Sequence, residues 1–357
     1  MFDVAGAEQS LSAEIKSALA NLNQNESGPL RIGMLLARNF TLSAFSLFVN
    51  TLRLASDELD HSGRKYLDWE VISDTSNLIQ SSSGVLVAPT ARLNDRKTFD
   101  YIVVVGGRLN IERQLSEVLM TYVKSSAAKQ IPIIGLCTGS FVLAQAGLLV
   151  GKTACVSWLH REEFQQQFPE IALVSHRPFL EDGLVTTCAG GTAAADLAAW
   201  IIKKHVGDSA AKNAMEILQI DHPRRGSDTQ TRMPLDIPVV KDSRVKLGLL
   251  LMEEAVHQKC DIAQIARRLG VSCRQMERLF KQDLGVTSIR TFQKIRLEKA
   301  KVFIEHTDQS ILQVAVDFGY ESQTHFSRLF RSHFGMNPSE LRRLIPQSQS
   351  SRHQSSA

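Results

Sequence analysis

Cysteine is scarce in this chain and poorly arranged for paired chemistry. The five thiols, Cys137, Cys155, Cys188, Cys260 and Cys273, are odd in number and form no Cys-x-x-Cys motif. That spacing excludes a disulfide framework and a zinc-ribbon site, so no metal and no cofactor are expected. Long apolar runs are missing as well. The most apolar stretch, Ile131 to Val150, is broken by Pro132, Thr138, Ser140 and Gln145. Nothing approaches the roughly 18 uninterrupted apolar residues of a membrane span. The first residues show no basic cluster followed by an apolar core, so no secretory leader and no membrane partner are expected. The chain is expected to be cytoplasmic.

What is present is a length of 357 residues, 43% of them hydrophobic, enough for two or three packed domains. Charge is unevenly spread. Between Ser243 and Pro346 there are 17 Lys and Arg against 11 Asp and Glu, a net of +6, whereas the rest of the chain carries 24 against 26. A basic C-terminal third suits a polyanion, because neutralised phosphates release counterions.

The organisation follows from texture. Residues 1–28 are a polar lead-in, expected to be disordered. From 29 to 222 short apolar runs (Ile32 to Leu36, Trp69 to Ile72, Val85 to Ala88, Tyr101 to Val105, Ile131 to Gly135) read as buried strands. They alternate with helical stretches at Ser43 to Glu58, Ile111 to Ser125, Gly139 to Ala146 and Leu159 to Phe168. Such alternation predicts a doubly wound, mostly parallel α/β sheet. A hairpin turning at Asp182-Gly183 and two helices, Thr192 to His205 and Asp208 to Ile220, complete it. Residues 223–242, rich in Pro, Arg, Ser and Thr, read as a linker. An all-α domain fills 243–346, and the Ser/Gln-rich tail 347–357 is expected to be disordered.

Within that last domain the chain repeats itself. Ile262 to Gly270 recurs as Ile311 to Gly319 at an offset of 49, and Ser272 to Phe280 recurs as Ser322 to Phe330 at an offset of 50. Each copy has apolar residues at helical spacing, a glycine that stops the first helix and a serine that caps the second. This is the pattern of a helix-turn-helix, whose second helix enters a DNA major groove. Met276, Leu279 and Phe280 should face inward in the first copy, and Phe326, Leu329 and Phe330 in the second. The expected DNA-binding residues are Ser272, Arg274, Gln275 and Arg278 in the first copy. In the second they are Ser322, Gln323, Thr324, His325, Arg328 and Arg331. Arg and Gln near the start of such helices can make two hydrogen bonds to guanine or adenine, and arginines further along suit phosphates. A helix through Thr291 to Lys301 would join the modules roughly one ~34 Å DNA turn apart.

Ala315, Gly319-Tyr320, Phe326-Ser327-Arg328-Leu329-Phe330, Phe334-Gly335 and Pro338 resemble the C-terminal signature of the AraC/XylS-type DNA-binding domain. The resemblance implies an asymmetric duplex site in two successive major grooves, and contact with RNA polymerase.

In the first domain, Ile131-Pro132-Ile133-Ile134-Gly135-Leu136-Cys137-Thr138-Gly139 predicts a strand, a tight turn presenting Cys137 and a helix. That is the geometry of a nucleophile elbow. Gly106-Gly107 ends the preceding strand and should face the same crevice, at the carboxyl ends of the strands. With Leu52-Arg53, Ala146-Gly147-Leu148-Leu149, Phe168-Pro169-Glu170 and Cys188-Ala189-Gly190-Gly191-Thr192-Ala193, these residues resemble the ThiJ/PfpI domain of the glutamine-amidotransferase-like superfamily. Joined to an AraC-type domain, the arrangement resembles the GlxA family of transcriptional regulators.

Enzymes of that superfamily set a Glu in the first strand–helix segment and a His beside the cysteine or on a later strand. Here Asn39 to Phe45 holds no carboxylate, Thr138 follows the cysteine, and Ser157 precedes Trp158 where many relatives have His. No catalytic residue is therefore expected, since a nucleophile needs a partner to move protons. The expected role is a ligand pocket made by Phe40, Gly106, Gly107, Cys137, Thr138 and Trp158. Trp158 would present an aromatic face to a cation, and backbone N–H groups at Gly107 and at the start of the following helix would hold a carboxylate. The resemblance implies a small amino-acid-like or quaternary-ammonium effector, a homodimer formed through the first domain, and activation of a catabolic operon. The alternative from these residues is a cysteine-dependent amidohydrolase or glyoxalase-like enzyme tethered to DNA.

Overall fold

The computed structural model describes residues 28–57, 61, 63–93, 98–109, 113–230, 240–257 and 260–344. Of the stretches expected to be disordered, 1–28 and 347–357, all but Gly28 lie outside them. The chain divides into two compact units, Met1–Gln230 and Thr231–Ala357.

In the first unit the elements run β1 (Leu30–Leu36), α1 (Leu42–Ser56), β2 (Leu67–Ser73), β3 (Ile79–Gln80), β4 (Leu86–Val87), β5 (Ala91–Arg92), β6 (Tyr101–Val105) and α2 (Glu117–Ala128). They continue as β7 (Ile133–Leu136), α3 (Gly139–Gln145), β8 (Thr153–Cys155), a 3-10 turn (Trp158–His160), α4 (Arg161–Gln167), β9 (Ala172–Val174), β10 (Phe179–Asp182), β11 (Val185–Cys188), α5 (Ala193–His205) and α6 (Asp208–Ile217). The main sheet has the order β10-β11-β7-β6-β1-β2-β5 and is parallel except for the β10–β11 hairpin. This is the doubly wound α/β class read from the strand–helix alternation.

β6 is buried along its whole length, as a central strand covered on both faces must be. One face of the sheet packs on α1, α5 and α6 through Phe48, Leu52, Leu197 and Ile201; the other packs through Val123, Phe141, Val142 and Phe164.

Two sequence expectations are corrected here. Val85 to Ala88 is not a buried strand of the parallel sheet. Its residues Leu86–Val87 pair antiparallel with Ile79–Gln80, with Val85 and Leu86 about half exposed. A four-residue apolar run carries no information about which sheet it joins, and Ala91–Arg92 takes the edge beside β2 instead. Helix α2 begins at Glu117 rather than near Ile111, because the Ser116 hydroxyl accepts the Leu119 N–H and caps the helix there.

The stretch read as a linker starts with anchored residues. Arg224 donates to both carboxylate oxygens of Asp196, through its backbone N–H and its guanidinium, and to the Thr192 hydroxyl. The Gln230 side-chain amide donates to the backbone carbonyls of Val156 and Arg177, and its backbone N–H donates to that of His176. Residues 231–239 lie outside the described part.

The second unit is helical: α7 (Ser243–Glu254), α8 (Ile262–Arg268), α9 (Cys273–Leu284), α10 (Ser288–His306), α11 (Ile311–Asp317), α12 (Gln323–Phe334) and α13 (Pro338–Leu344). Its core is one cluster in which Met276 and Phe280 of the first copy meet Phe326 and Phe330 of the second through Phe292, Ile295 and Ala300. Among the described residues no helix is long and apolar enough to cross a membrane.

The Asp196 side chain is 1% exposed and the Arg224 side chain 19%. Burial pushes the Asp196 carboxyl above its usual range, while the Arg224 bonds pull the other way. Removing the guanidinium leaves that buried carboxylate with one partner fewer. Arg224→Ala should therefore cost the first unit about 3 kcal/mol near neutral pH, read as an earlier urea transition. The loss should shrink as pH falls through the raised carboxyl value, because the folded state then holds a neutral acid. An unchanged midpoint would show that the pair does not hold the segment.

Candidate functional site

Three loops at the carboxyl ends of β1, β6 and β7 meet at the elbow, where open α/β sheets bind ligands. Cys137 sits there with φ of +56°, a left-handed conformation unusual for a side-chain-bearing residue. Its neighbours explain how the turn is held. A Cβ on Gly106 would stand 2.0 Å from the Gly139 nitrogen, so only glycine lets β6 approach the turn so closely. The Thr138 hydroxyl donates to the Gly107 carbonyl at 2.6 Å, and the Ser140 hydroxyl donates to the Cys137 carbonyl at 3.2 Å.

The structure brings Phe40, Gly106, Gly107, Cys137 and Thr138 into one cluster, in which Phe40 forms an isolated bridge with Gly107. Their roles differ from the sequence reading. The Gly107 N–H is already donated to the Gln114 side chain at 3.0 Å, and the Gly106 N–H to the Leu136 carbonyl at 3.0 Å. Neither is aimed at a carboxylate. Phe40 is wholly buried and packs edge-on against Phe45, so it is a core residue under the site. Thr138 is 2% exposed and its hydroxyl is committed. Trp158 opens the 3-10 turn after β8 and is 39% exposed.

Two residues missed in the sequence touch the thiol. The Thr41 hydroxyl donates to Cys137 Sγ at 3.4 Å. Gly190, at φ of +88°, packs so closely that a Cβ there would lie 2.7 Å from Cys137 Cβ and 3.0 Å from its sulfur. Thr41 belongs to the Asn39 to Phe45 segment, and Gly190 to the Cys188 to Ala193 segment. Neither signals a thiol contact without the fold.

His160 does not serve the cysteine. It lies 3.8 Å from Glu163, packs edge-on against Phe141 on the opposite face of the sheet, and burial lowers its pKa. Cys188 is fully buried and its thiol is pushed up to about 12, chiefly by desolvation. It is a packing residue rather than a nucleophile.

In the second unit α8 and α11 support, while α9 and α12 present exposed faces. Asp261, Ser272, Ser310 and Ser322 cap these four helices, each accepting a backbone N–H through its side chain. Met276, Leu279, Phe280, Phe326 and Phe330 are buried as expected, with Leu329 partly so. Arg274, Gln275, Arg278, Gln323, Thr324, His325, Arg328 and Arg331 are all exposed.

One of these is already engaged. Ser272 and Gln275 form a capping box, in which the Gln275 side-chain oxygen accepts the Ser272 N–H at 2.9 Å. With that oxygen taken, Gln275 cannot present the donor–acceptor pair that adenine requires. The second copy has His325 at the matching place, and Gln323 stands clear of the cap.

Helix α10 ties the copies together. Glu277 accepts the Ser288 hydroxyl at 2.6 Å, and His333 meets Glu298 at 3.1 Å. Midway, the Arg296 guanidinium lies over the Phe292 ring at 4.1 Å, donates to the Cys260 carbonyl, and lies within 3.2 Å of where a Cβ on Gly319 would be.

Residues 265–344 match the helix-turn-helix domain family, and residues 44–204 match the DJ-1/PfpI family. Over 319 residues the chain is 32% identical to the HTH-type transcriptional regulator GbdR of Pseudomonas aeruginosa, covering 89% of this chain and 85% of that protein. It is 30% identical to the HTH-type transcriptional regulator CdhR of the same species, over 87% of this chain and 91% of the relative. The HTH-type transcriptional regulator GlxA of Rhizobium meliloti is 28% identical over 88% and 95%. A solved structure of an AraC family transcriptional regulator from Pseudomonas putida is 21% identical, covers 53% of this chain and all of its own, and has a TM-score of 0.46. The chain belongs to the GlxA/GbdR-type HTH transcriptional regulators, which join a DJ-1/PfpI domain to an AraC-type helix-turn-helix domain, and it is a regulator rather than an enzyme.

Proposed function

We propose that the chain is an effector-responsive activator of a catabolic operon, reading an asymmetric operator with α9 and α12 and recruiting RNA polymerase. The observation that carries the reading is a pair of recognition helices with equivalent buried frames and different exposed faces. Arg274 and Arg278 offer guanine and phosphate contacts in the first; Gln323, Thr324, His325, Arg328 and Arg331 offer a mixed set in the second. Arg274, Arg278 and Arg328 form no ion pair among the described residues.

The input half is proposed to be the elbow, in a homodimer formed through the first unit. The thiol faces Thr41 and Gly190, not an acid or an imidazole, which suits a pocket that binds without turnover. The half-exposed Trp158 ring supports a cationic effector of amino-acid-like or quaternary-ammonium type. The Gly106 and Gly107 N–H groups are spent within the loops and are not proposed to hold the effector's carboxylate.

Arg274→Ala and Gln323→Ala should each weaken binding to a selected operator by ~1–3 kcal/mol and relax discrimination at one base position. Unchanged footprints in both variants would refute the choice of recognition residues. Thermal-shift measurements on the full chain with amino acids and betaines test the input half. A ligand at a hundred times its Kd should stabilise the first unit by about 2.7 kcal/mol. Gly190→Ala should abolish that shift by displacing Cys137, whereas Cys137→Ser should keep it. No shift with any compound of either class would remove the effector assignment.

A further inference from the structure

Between α9 and α12 lies an open groove of about 690 Å³, floored by α10. Its cationic part is Arg290 and Lys294, one helical turn apart, both exposed and without an ion pair among the described residues. Its walls are aliphatic: Leu284 and Val286 on the side of the first copy, Leu329 on the side of the second. Asp283 also lines it, but its carboxylate accepts the Lys241 and Asp242 N–H groups at 3.0 and 3.1 Å. Its charge is already turned toward that backbone.

The groove is lined by the end of α9, the first half of α10 and the later half of α12. Ser332, on its rim, is one turn beyond Arg328; Leu284 is three residues beyond Lys281. A duplex spanning two successive major grooves must pass its sugar–phosphate backbone across the space between the two helices. A sugar–phosphate strand alternates anionic oxygens with apolar C–H faces. Two free cations between aliphatic walls match both.

We infer that this groove is a third DNA-contacting surface, in which Arg290 and Lys294 hold backbone phosphates between the two half-sites while Leu284, Val286 and Leu329 pack on deoxyribose. The inference rests on the proposed docking of α9 and α12 in adjacent grooves. Contacts of this kind fix the spacing of the half-sites but carry no base preference.

The test uses the full chain, a duplex it enriches from a randomised pool, and a scrambled duplex of equal length. Arg290→Ala/Lys294→Ala should weaken binding to both duplexes by the same factor. It should also reduce the slope of log affinity against log salt by about 1 for each residue removed. Arg290→Lys should restore most of its share of the slope. Ethylation of phosphates between the half-sites should interfere with the unaltered chain and cease to matter in the double variant. The thermal midpoint should not move, because both side chains are exposed and unpaired. An unchanged slope with intact discrimination would overturn the groove contact while leaving the recognition helices standing. A double variant that loses discrimination but keeps its slope would overturn it too. A chain that enriches no sequence would count against the recognition helices, and the slopes on the scrambled duplex would still decide the groove.

Discussion

Helix α10 sets the separation of everything the DNA-binding unit presents. Nineteen residues at 1.5 Å per residue make a rod of about 28 Å. Glu277 joins α9 to its first residue, and Glu298 joins its later half to α12 through His333. Arg296 occupies the middle, spending its charge on the Cys260 carbonyl and the Phe292 ring. Burial lowers the Arg296 pKa and pushes the Tyr320 hydroxyl beside it up to about 12. These contacts are costly to desolvate and specific in direction, so the two modules have little freedom to re-space themselves. A helix-turn-helix is a small unit with few core residues of its own. Here each copy completes its core on α10, and the two become one folding unit.

The elbow shows the opposite use of close packing. Gly106 and Gly190 let backbone come within contact distance of the turn, and the N–H groups of Gly106 and Gly107 are consumed in holding the loops together. An enzyme would keep such donors free for charge that develops during reaction. Among the described residues Thr41 is the thiol's hydrogen-bond partner, His160 is turned to the other face of the sheet, and the turn itself holds Cys137 in a left-handed conformation. A strained, rigid turn of this kind is a good platform for binding because its shape is already determined before a ligand arrives.

Much of this was legible in the sequence because it is periodic. The repeat at 262–343 shows in the recurring apolar triplets, and burial of Met276, Phe280, Phe326 and Phe330 follows from helical spacing alone. The strand–turn–helix at Cys137 was equally plain, since a run of apolar residues stops at a glycine-rich turn. What escaped was set by contacts distant in sequence. The bond from Gly107 to Gln114 depends on the path of a loop, and the pairing of Asp196 with Arg224 spans 28 residues across a helix pair. Val85 to Ala88 failed for a related reason: a short apolar run records local preference and not its pairing partner.

The difference between the two copies is itself physical. In the first, the third residue of the recognition helix is Gln275, whose side chain closes a capping box and so stabilises the helix start. In the second, the same place holds His325, which faces the Tyr320 ring at 6.1 Å and leaves the cap with a single side-chain bond. A helix start that keeps its polar side chains for capping has fewer to offer to bases. The first module therefore has the more fully capped helix start, with Arg274 as its foremost exposed side chain. The second keeps Gln323 and Thr324 uncommitted at the cost of a weaker cap. Unequal copies on a fixed spacer have a polarity, which is the property the proposed asymmetric operator would match.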